Sequence, residues 1–179
     1  VSSAASDVYK RQYPLFATGK CRLLVADGAS TDGTVQYLQS LNNPHISFVS
    51  RKDRGLYDAV NNAIEMIYSG HICIIGSGDY VNYKVVESSV MPIIKNMRHN
   101  ELSIIACAIE RIMNDSRSNL CVRYVSPIHH LPIKSAVMSY NHPGLFISTK
   151  VYQTVGLYDA SFKIIADHEW VERIRASDN

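Results

Sequence analysis

Three loops rich in carboxylates and glycine each follow a short apolar segment of the chain. They are residues 27–34 (DGASTDGT), 50–61 (SRKDRGLYDAVN) and 76–80 (GSGDY). Carboxylate oxygens are the ligands that Mg²⁺ and similar hard cations prefer, and such cations neutralise phosphate charge well. A lone Asp-Gly pair would indicate only a turn. Three such loops in succession instead predict a site for a metal ion and a phosphorylated ligand.

Each loop lies between a strand-like segment and an amphipathic, helix-like segment, an alternation typical of a parallel α/β sheet. Ligands bind such sheets at the carboxyl ends of the strands, where these loops would lie. We predict strands at 21–26, 45–50 and 71–76, with the third central in the sheet because it is almost wholly apolar. Further predicted strands are 102–112 and 120–124, as an antiparallel pair, and 144–147; predicted helices are 32–41, 56–68, 83–97, 150–155 and 166–176.

The bulk properties of the chain exclude several classes of function. Its 179 residues are enough for one domain or most of one, and 46% hydrophobic with 19% charged residues is typical of a globular protein. A net charge of +2 without a basic stripe argues against a nucleic-acid partner. No apolar run is long enough to cross a bilayer. The four cysteines are isolated from one another within apolar surroundings, which predicts free thiols in a reducing compartment: Cys21, Cys73, Cys107 and Cys121.

The motifs resemble those of the family-2 glycosyltransferases, an inverting group with the GT-A fold, and most closely its bacterial members that build surface polysaccharides. Residues 27–34 match the family's Asp-Gly-x-Ser-x-Asp-Gly-Thr, and residues 50–61 match its Ser-x-x-Asp-x-Gly-Leu-Tyr-Asp-Ala-x-Asn pattern. Supporting matches are residues 77–79 (SGD), 142–146 (HPGLF) and 155–159 (VGLYD), followed by Asp167 and Arg173. The resemblance covers roughly residues 14–176.

The resemblance implies an α/β, Rossmann-like GT-A fold with a mostly parallel sheet flanked by helices. The family's opening strand and helix have no counterpart here, so the first strand is expected to be missing. The metal motif departs as well, because Gly78 occupies a position that carries a carboxylate in many members. Residues 1–12 resemble a translated sequencing adaptor rather than protein, the alternative being a polar N-terminal helix. We therefore expect residues 1–12 to be an artefact and residues 13–179 to be part of a catalytic domain.

The same resemblance assigns roles to particular residues. Asp79 is the expected ligand of Mg²⁺ or Mn²⁺, with a turn carboxylate as the alternative. Asp167 is the expected catalytic base that takes the proton of the acceptor hydroxyl. Acidic residues are also favoured in a first helical turn, a reading that fits Glu169 equally well. The expected substrate-binding residues are Asp27 (at the nucleobase), Ser30, Asp32, Arg54, Asp58, Ser77 and His142 (at the diphosphate or acceptor). Asp58 could instead act only as a helix cap.

These roles predict inverting transfer of a sugar from a nucleotide-diphosphate sugar to a polysaccharide or lipid-linked acceptor. Two alternatives stay open: a sugar-phosphate nucleotidyltransferase, and a non-catalytic domain that binds nucleotide sugars. Turnover to a glycosylated product would distinguish the first function from both. We expect a cytoplasmic protein that can associate peripherally with the inner face of the membrane in its full-length form.

Overall fold

A computed structural model describes residues 12–15, 17, 19–76, 79–98, 102–115, 120–125 and 142–177. Ser77 and Gly78 lie outside the described residues, as does nearly all of the segment 1–12. Gln12 is described, and only 1% of its surface is exposed. Its side-chain amide donates to the Asp79 carbonyl at 3.2 Å and accepts from the Val81 N–H at 3.3 Å. The origin of residues 1–12 stays a prediction.

The first two predicted strands form a parallel pair. Strand β1 (Leu23–Asp27) leads into helix α1 (Thr34–Ser40), and strand β2 (Ile46–Ser50) leads into helix α2 (Leu56–Ile64). The register places Asp27 opposite Ser50, so both strands end at the same edge. The first two acidic loops therefore begin side by side, as the βαβ pattern predicts.

The prediction of a mostly parallel sheet with a central third strand is wrong. Strand β3 covers only His71–Ile72, and it pairs antiparallel with β7 (Leu145–Ser148). Strand β4 (Ile104–Ala106) pairs antiparallel with the other side of β7, giving the order β3-β7-β4. The apolar residues at 72–75 predict that this segment is shielded from water, but that prediction specifies neither the length of a strand nor the direction in which it pairs. The described fold is mixed α/β.

The remaining elements agree with the sequence pattern more closely. The predicted strand 102–112 is divided into β4 and β5 (Glu110–Asp115), and only β5 forms the expected antiparallel pair with β6 (Leu120–Val125). The predicted helix at 83–97 is continuous but contains a π-helical turn. It consists of α3 (Tyr83–Val85), a π segment (Val86–Val90) and α4 (Met91–Asn96), in which Pro92 is at the first turn. Because proline lacks an N–H, a wider turn just before it disturbs the helix little.

The main core lies where the last two helices, α5 (Thr149–Val155) and α6 (Ala166–Ser177), pack beside β7. Trp170 is 1% exposed and stacks on Tyr152 with ring centroids 4.8 Å apart. The indole N–H of Trp170 donates to the Gly156 carbonyl at 2.7 Å, so its polar atom is satisfied. This core fixes the start of α6, where Asp167 lies. In the described part of the chain, no helix has both the length and the apolar character needed to span a membrane.

Candidate active site

Asp27 is the last residue of β1 and begins the first acidic loop. Only 9% of its surface is exposed, and its Oδ2 accepts hydrogen bonds from the Ser30 N–H at 3.0 Å and the Ser50 hydroxyl at 2.6 Å. Burial raises the pKa of this carboxyl, but the hydrogen bonds from Ser30 and Ser50 outweigh burial and leave the pKa below its ordinary value. Asp27 is therefore an ionised, fixed acceptor at the edge shared by β1 and β2.

The second acidic loop packs directly against the first. A Cβ atom at Gly28 would lie 2.6 Å from Oδ2 of Asp53, so a larger residue there would have to displace that carboxylate. The other oxygen of Asp53 accepts the Gly55 N–H at 2.9 Å, immediately before α2. Asp32 stays within its own loop, where Oδ1 accepts from the N–H and hydroxyl of Thr34 at 3.1 and 2.6 Å. The close approach of Gly28 to Asp53 is the contact that brings the two loops together.

Arg54 and Asp58 are bound to each other. The Arg54 guanidinium lies 2.7 Å from Oδ1 of Asp58, and the Arg54 backbone N–H donates to Oδ2 at 3.0 Å. The first cause of the lowered pKa of Asp58 is the side-chain hydrogen bond from Arg54. Asp58 thus performs the local structural role expected of an acidic residue in a first helical turn. Whether this pair also binds substrate stays a prediction.

Asp79 closes the turn after the third apolar segment. Its Oδ2 accepts the Gly76 N–H at 2.7 Å, and its backbone N–H donates to the Gly76 carbonyl at 3.2 Å. Among the described residues, no three His, Cys, Asp or Glu side chains converge in a way that could hold a metal ion. Mg²⁺ in phosphate-transfer sites takes only one or two protein carboxylates, with phosphate and water oxygens as the remaining ligands. A single carboxylate at Asp79 fits that donor set.

Asp167 is held against the helix that follows the second acidic loop. It lies in the first turn of α6, and its Oδ1 accepts the Tyr57 hydroxyl of α2 at 3.0 Å. The same oxygen accepts the His168 N–H at 3.0 Å. The fold therefore brings Asp167, the expected base, to the helix that follows the second acidic loop, although 110 positions separate Tyr57 from Asp167.

Tyr158 links Asp167's surroundings to His142. Its ring centroid lies 5.6 Å from that of Tyr57, and its hydroxyl is 2.6 Å from Nε2 of His142 and 3.0 Å from the hydroxyl of Tyr152. Burial lowers the pKa of His142, although the Asp167 carboxylate opposes this shift. Burial also raises the pKa of Tyr158. The neutral imidazole of His142 and the protonated phenol of Tyr158 thus lie near the Asp167 carboxylate.

Asn61 fixes the backbone of Tyr158. Its Nδ2 donates to the Tyr158 carbonyl at 2.7 Å, and its Oδ1 accepts the Tyr158 N–H at 3.0 Å. Asn61 lies four positions after Tyr57, so both side chains project from one face of α2. The motif's Tyr and Asn together attach α2 to the segment that leads to Asp167.

Two other carboxylates near Asp167 in the sequence are engaged elsewhere. Glu169 binds the Arg173 guanidinium with both oxygens, at 2.7 and 3.0 Å, and the other guanidinium contacts go to the carbonyls of Val155 and Leu157. Asp159 accepts the Ser161 N–H at 2.9 Å, and hydrogen bonds from Ser161 lower its pKa. Neither matches the environment expected of a base that faces a bound acceptor.

Two carboxylate loops thus begin at adjacent strand ends, and a third carboxylate, Asp167, is hydrogen-bonded to the helix that follows the second loop. The family model for glycosyl transferase family 2 matches residues 10–135, more than two thirds of the chain. The chain therefore belongs to glycosyl transferase family 2, whose enzymes have the GT-A fold, transfer sugar from a nucleotide sugar and commonly use a divalent metal. No curated protein matches the chain. The roles of all the candidate site residues are proposals, and His142 and Asp167 also lie beyond the matched range.

Sequence reasoning missed the polar contacts that assemble this site. Tyr57, Asn61 and Tyr158 occur in the motifs quoted above, but their partners could not be named because each pair is far apart in sequence. One available signal was the four-residue spacing of Tyr57 and Asn61, which places two polar groups on one face of a helix. Asp53 was likewise assigned no role, although it packs on Gly28.

Proposed function

We propose that this glycosyltransferase inverts the anomeric configuration as it moves a sugar from a nucleotide-diphosphate sugar to a hydroxyl of a glycan or lipid-linked acceptor. The observation that supports this proposal most strongly is the hydrogen bond between Tyr57 and Asp167. It brings a carboxylate from beyond the family match to the helix that follows the donor motifs. The family assignment favours sugar transfer over nucleotidyl transfer and over binding without turnover.

On the donor side, the edge shared by β1 and β2 would receive the nucleoside. Asp27 is ionised and held by two hydrogen bonds, so it presents a fixed acceptor to a nucleobase N–H. Ser30 and Asp32 lie in the same loop and would line the same pocket. Arg54 is 79% exposed in its side chain and would reach the diphosphate. Asp79 would hold Mg²⁺ or Mn²⁺, which when bound offsets the charge on the leaving diphosphate.

On the acceptor side, Asp167 would act as general base. The acceptor hydroxyl attacks the anomeric carbon, its proton passes to Asp167, and the bond from that carbon to the diphosphate oxygen breaks as the nucleoside diphosphate leaves. Attack opposite the leaving group inverts the configuration. His142 is neutral and close to this carboxylate, so it would hydrogen-bond the acceptor or the diphosphate without competing for the proton.

The test uses the purified protein, a panel of nucleotide-diphosphate sugars and hydroxyl acceptors. We expect release of nucleoside diphosphate that depends on an acceptor, with the product anomer opposite to the donor anomer by NMR. Asp167→Asn should keep donor binding and lose about 10²–10⁴-fold in kcat, the range that general bases contribute. Glu169→Gln and Asp159→Asn are matched controls.

Retention of configuration, or release of pyrophosphate, would refute the proposed reaction. Near-normal turnover in Asp167→Asn, with loss in either control, would move the role of base to that control residue.

A further inference from the structure

The two oxygens of the Asp167 carboxylate are treated differently by the protein. Oδ1 accepts two hydrogen bonds, from the Tyr57 hydroxyl and the His168 N–H, both at 3.0 Å. No hydrogen bond from the described residues reaches Oδ2. One oxygen is thus fixed in place, and the other is left to receive a proton.

Tyr57 is itself held so that its hydroxyl points in one direction. Its ring packs against that of Tyr158, with centroids 5.6 Å apart and the planes tilted by 42°. One turn further along α2, Asn61 binds the backbone of the same Tyr158 through both amide atoms. Rotation of the Tyr57 ring away from Asp167 would abandon the ring contact. The donor of this hydrogen bond is therefore oriented before any substrate binds.

The hydroxyl of Tyr57 also keeps its proton. Burial raises its pKa, and the hydrogen bond to Asp167 raises it further. Tyr57 therefore remains a donor throughout the pH range in which a carboxylate can act as a base. Two other titratable groups of the described residues interact with the Asp167 carboxylate: His142 before β7 and Tyr158 after α5.

We propose that Tyr57 is a positioning residue of the transfer reaction, whose hydroxyl fixes Oδ1 of Asp167 so that Oδ2 faces the acceptor hydroxyl. This inference rests on the proposed role of Asp167 as the base. Tyr57 touches neither the donor nor the reacting atoms in this scheme and acts only through Asp167.

The test compares Tyr57→Phe with Tyr152→Phe and the parent protein. Both substitutions delete one hydroxyl and keep the ring, and both positions belong to the same aromatic group around Tyr158. The Tyr152 hydroxyl binds Tyr158 and not Asp167, so it is a matched control. Because the phenyl ring in Tyr57→Phe would keep the packing of the tyrosine ring, this variant should fold, and its melting temperature provides the check.

We expect Tyr57→Phe to lower kcat about tenfold while the KM for the nucleotide sugar stays unchanged, the pattern for a contact that matters only in the chemical step. The kcat/KM of Tyr57→Phe should fall by the same factor as its kcat. Tyr152→Phe should leave both kcat and KM close to those of the parent.

A parent-like kcat in Tyr57→Phe, or a raised KM for the nucleotide sugar in that variant, would overturn the inference. So would equal losses of kcat in the two variants, because a purely structural role would then explain both. Asp167→Asn separates this outcome from failure of the proposed function. If that variant loses turnover while Tyr57→Phe behaves as the parent, only the inference about Tyr57 fails. If Asp167→Asn turns over normally, the assignment of the base fails first.

Discussion

Replacing Asn61 with alanine should destabilise the protein more than a typical substitution on a helix surface. Both atoms of its amide are bound to the backbone of Tyr158, at 2.7 and 3.0 Å, across 97 positions of sequence. Tyr158 is 3% exposed, so water cannot freely replace the lost partners. Alanine leaves one carbonyl and one N–H of Tyr158 without their side-chain partner.

The size of the effect follows from these two orphaned groups. Leaving a buried donor or acceptor unsatisfied costs about 1–3 kcal/mol each. Asn61 itself is half-buried, which admits some water and favours the lower part of the range, so we expect a loss of about 2–4 kcal/mol in the free energy of unfolding. For a domain of this size, that loss corresponds to a fall of roughly 4–16 °C in melting temperature.

The assay is urea denaturation followed by the fluorescence of Trp170, the single tryptophan, whose ring lies 5.3 Å from that of Tyr158. Asn62→Ala is the matched control. Among the described residues, the side chain of the neighbouring Asn62 accepts a hydrogen bond only from the exposed Arg51 guanidinium. The control should change stability by less than about 0.5 kcal/mol, as surface substitutions usually do. If Asn61→Ala and Asn62→Ala prove equally stable, the attachment of α2 to Tyr158 does not have the energy assigned to it.

Three further predictions concern the donor side. Asp79→Asn should abolish the increase in nucleoside-diphosphate affinity that Mn²⁺ gives the parent, measured by calorimetry with and without the metal; an unchanged increase would contradict the metal role. Asp27→Asn should flatten the dependence of stability on pH, measured by melts from pH 2 to 7. The folded pKa of Asp27 is lowered, so its stabilisation is present above about pH 4, the unfolded value, and is lost as pH falls through the folded pKa. Parallel curves for parent and variant would refute this. Gly28→Ala should cost about 1–3 kcal/mol by overpacking against Asp53, and adding Asp53→Ala should restore most of that loss; no recovery would place the strain elsewhere.

The local parts of the fold could be predicted because their causes are local. Alternating apolar segments and acidic loops predict β1, β2 and the helices after them, and those elements lie within a few residues of their expected positions. The direction of pairing at β3 could not be predicted in this way. Strand β7 contacts β3 from more than 70 positions away, and nothing in residues 71–76 specifies an antiparallel partner.

The same distinction between local and long-range causes applies to the candidate site. Asp27 and Asp79 end apolar segments, so their placement at strand ends or turns follows from the sequence pattern. The pairing of Tyr57 with Asp167 depends on the packing of α6 around Trp170, which brings the first turn of that helix to α2. Such a contact follows from the assembled core rather than from any spacing in the sequence.

Helix α2 explains how the two halves of the site stay in register. It has nine residues, of which only Ile64 is fully buried, and a helix of that length is not stable alone in water. Burial of Ile64 contributes about 1.5–3 kcal/mol, and Tyr57 and Val60 also pack, partly buried, against the core. Polar contacts add to this apolar packing at both ends of the helix: Asp53 binds the N–H of Gly55 before the helix, while Tyr57 and Asn61 bind the segment that carries Asp167. Because one short helix makes both sets of contacts, a one-residue slip would turn it by about 100° and break all of them together. Because Tyr57 follows Asp53 by only four positions, its hydrogen bond to Asp167 holds the proposed base close to the second acidic loop.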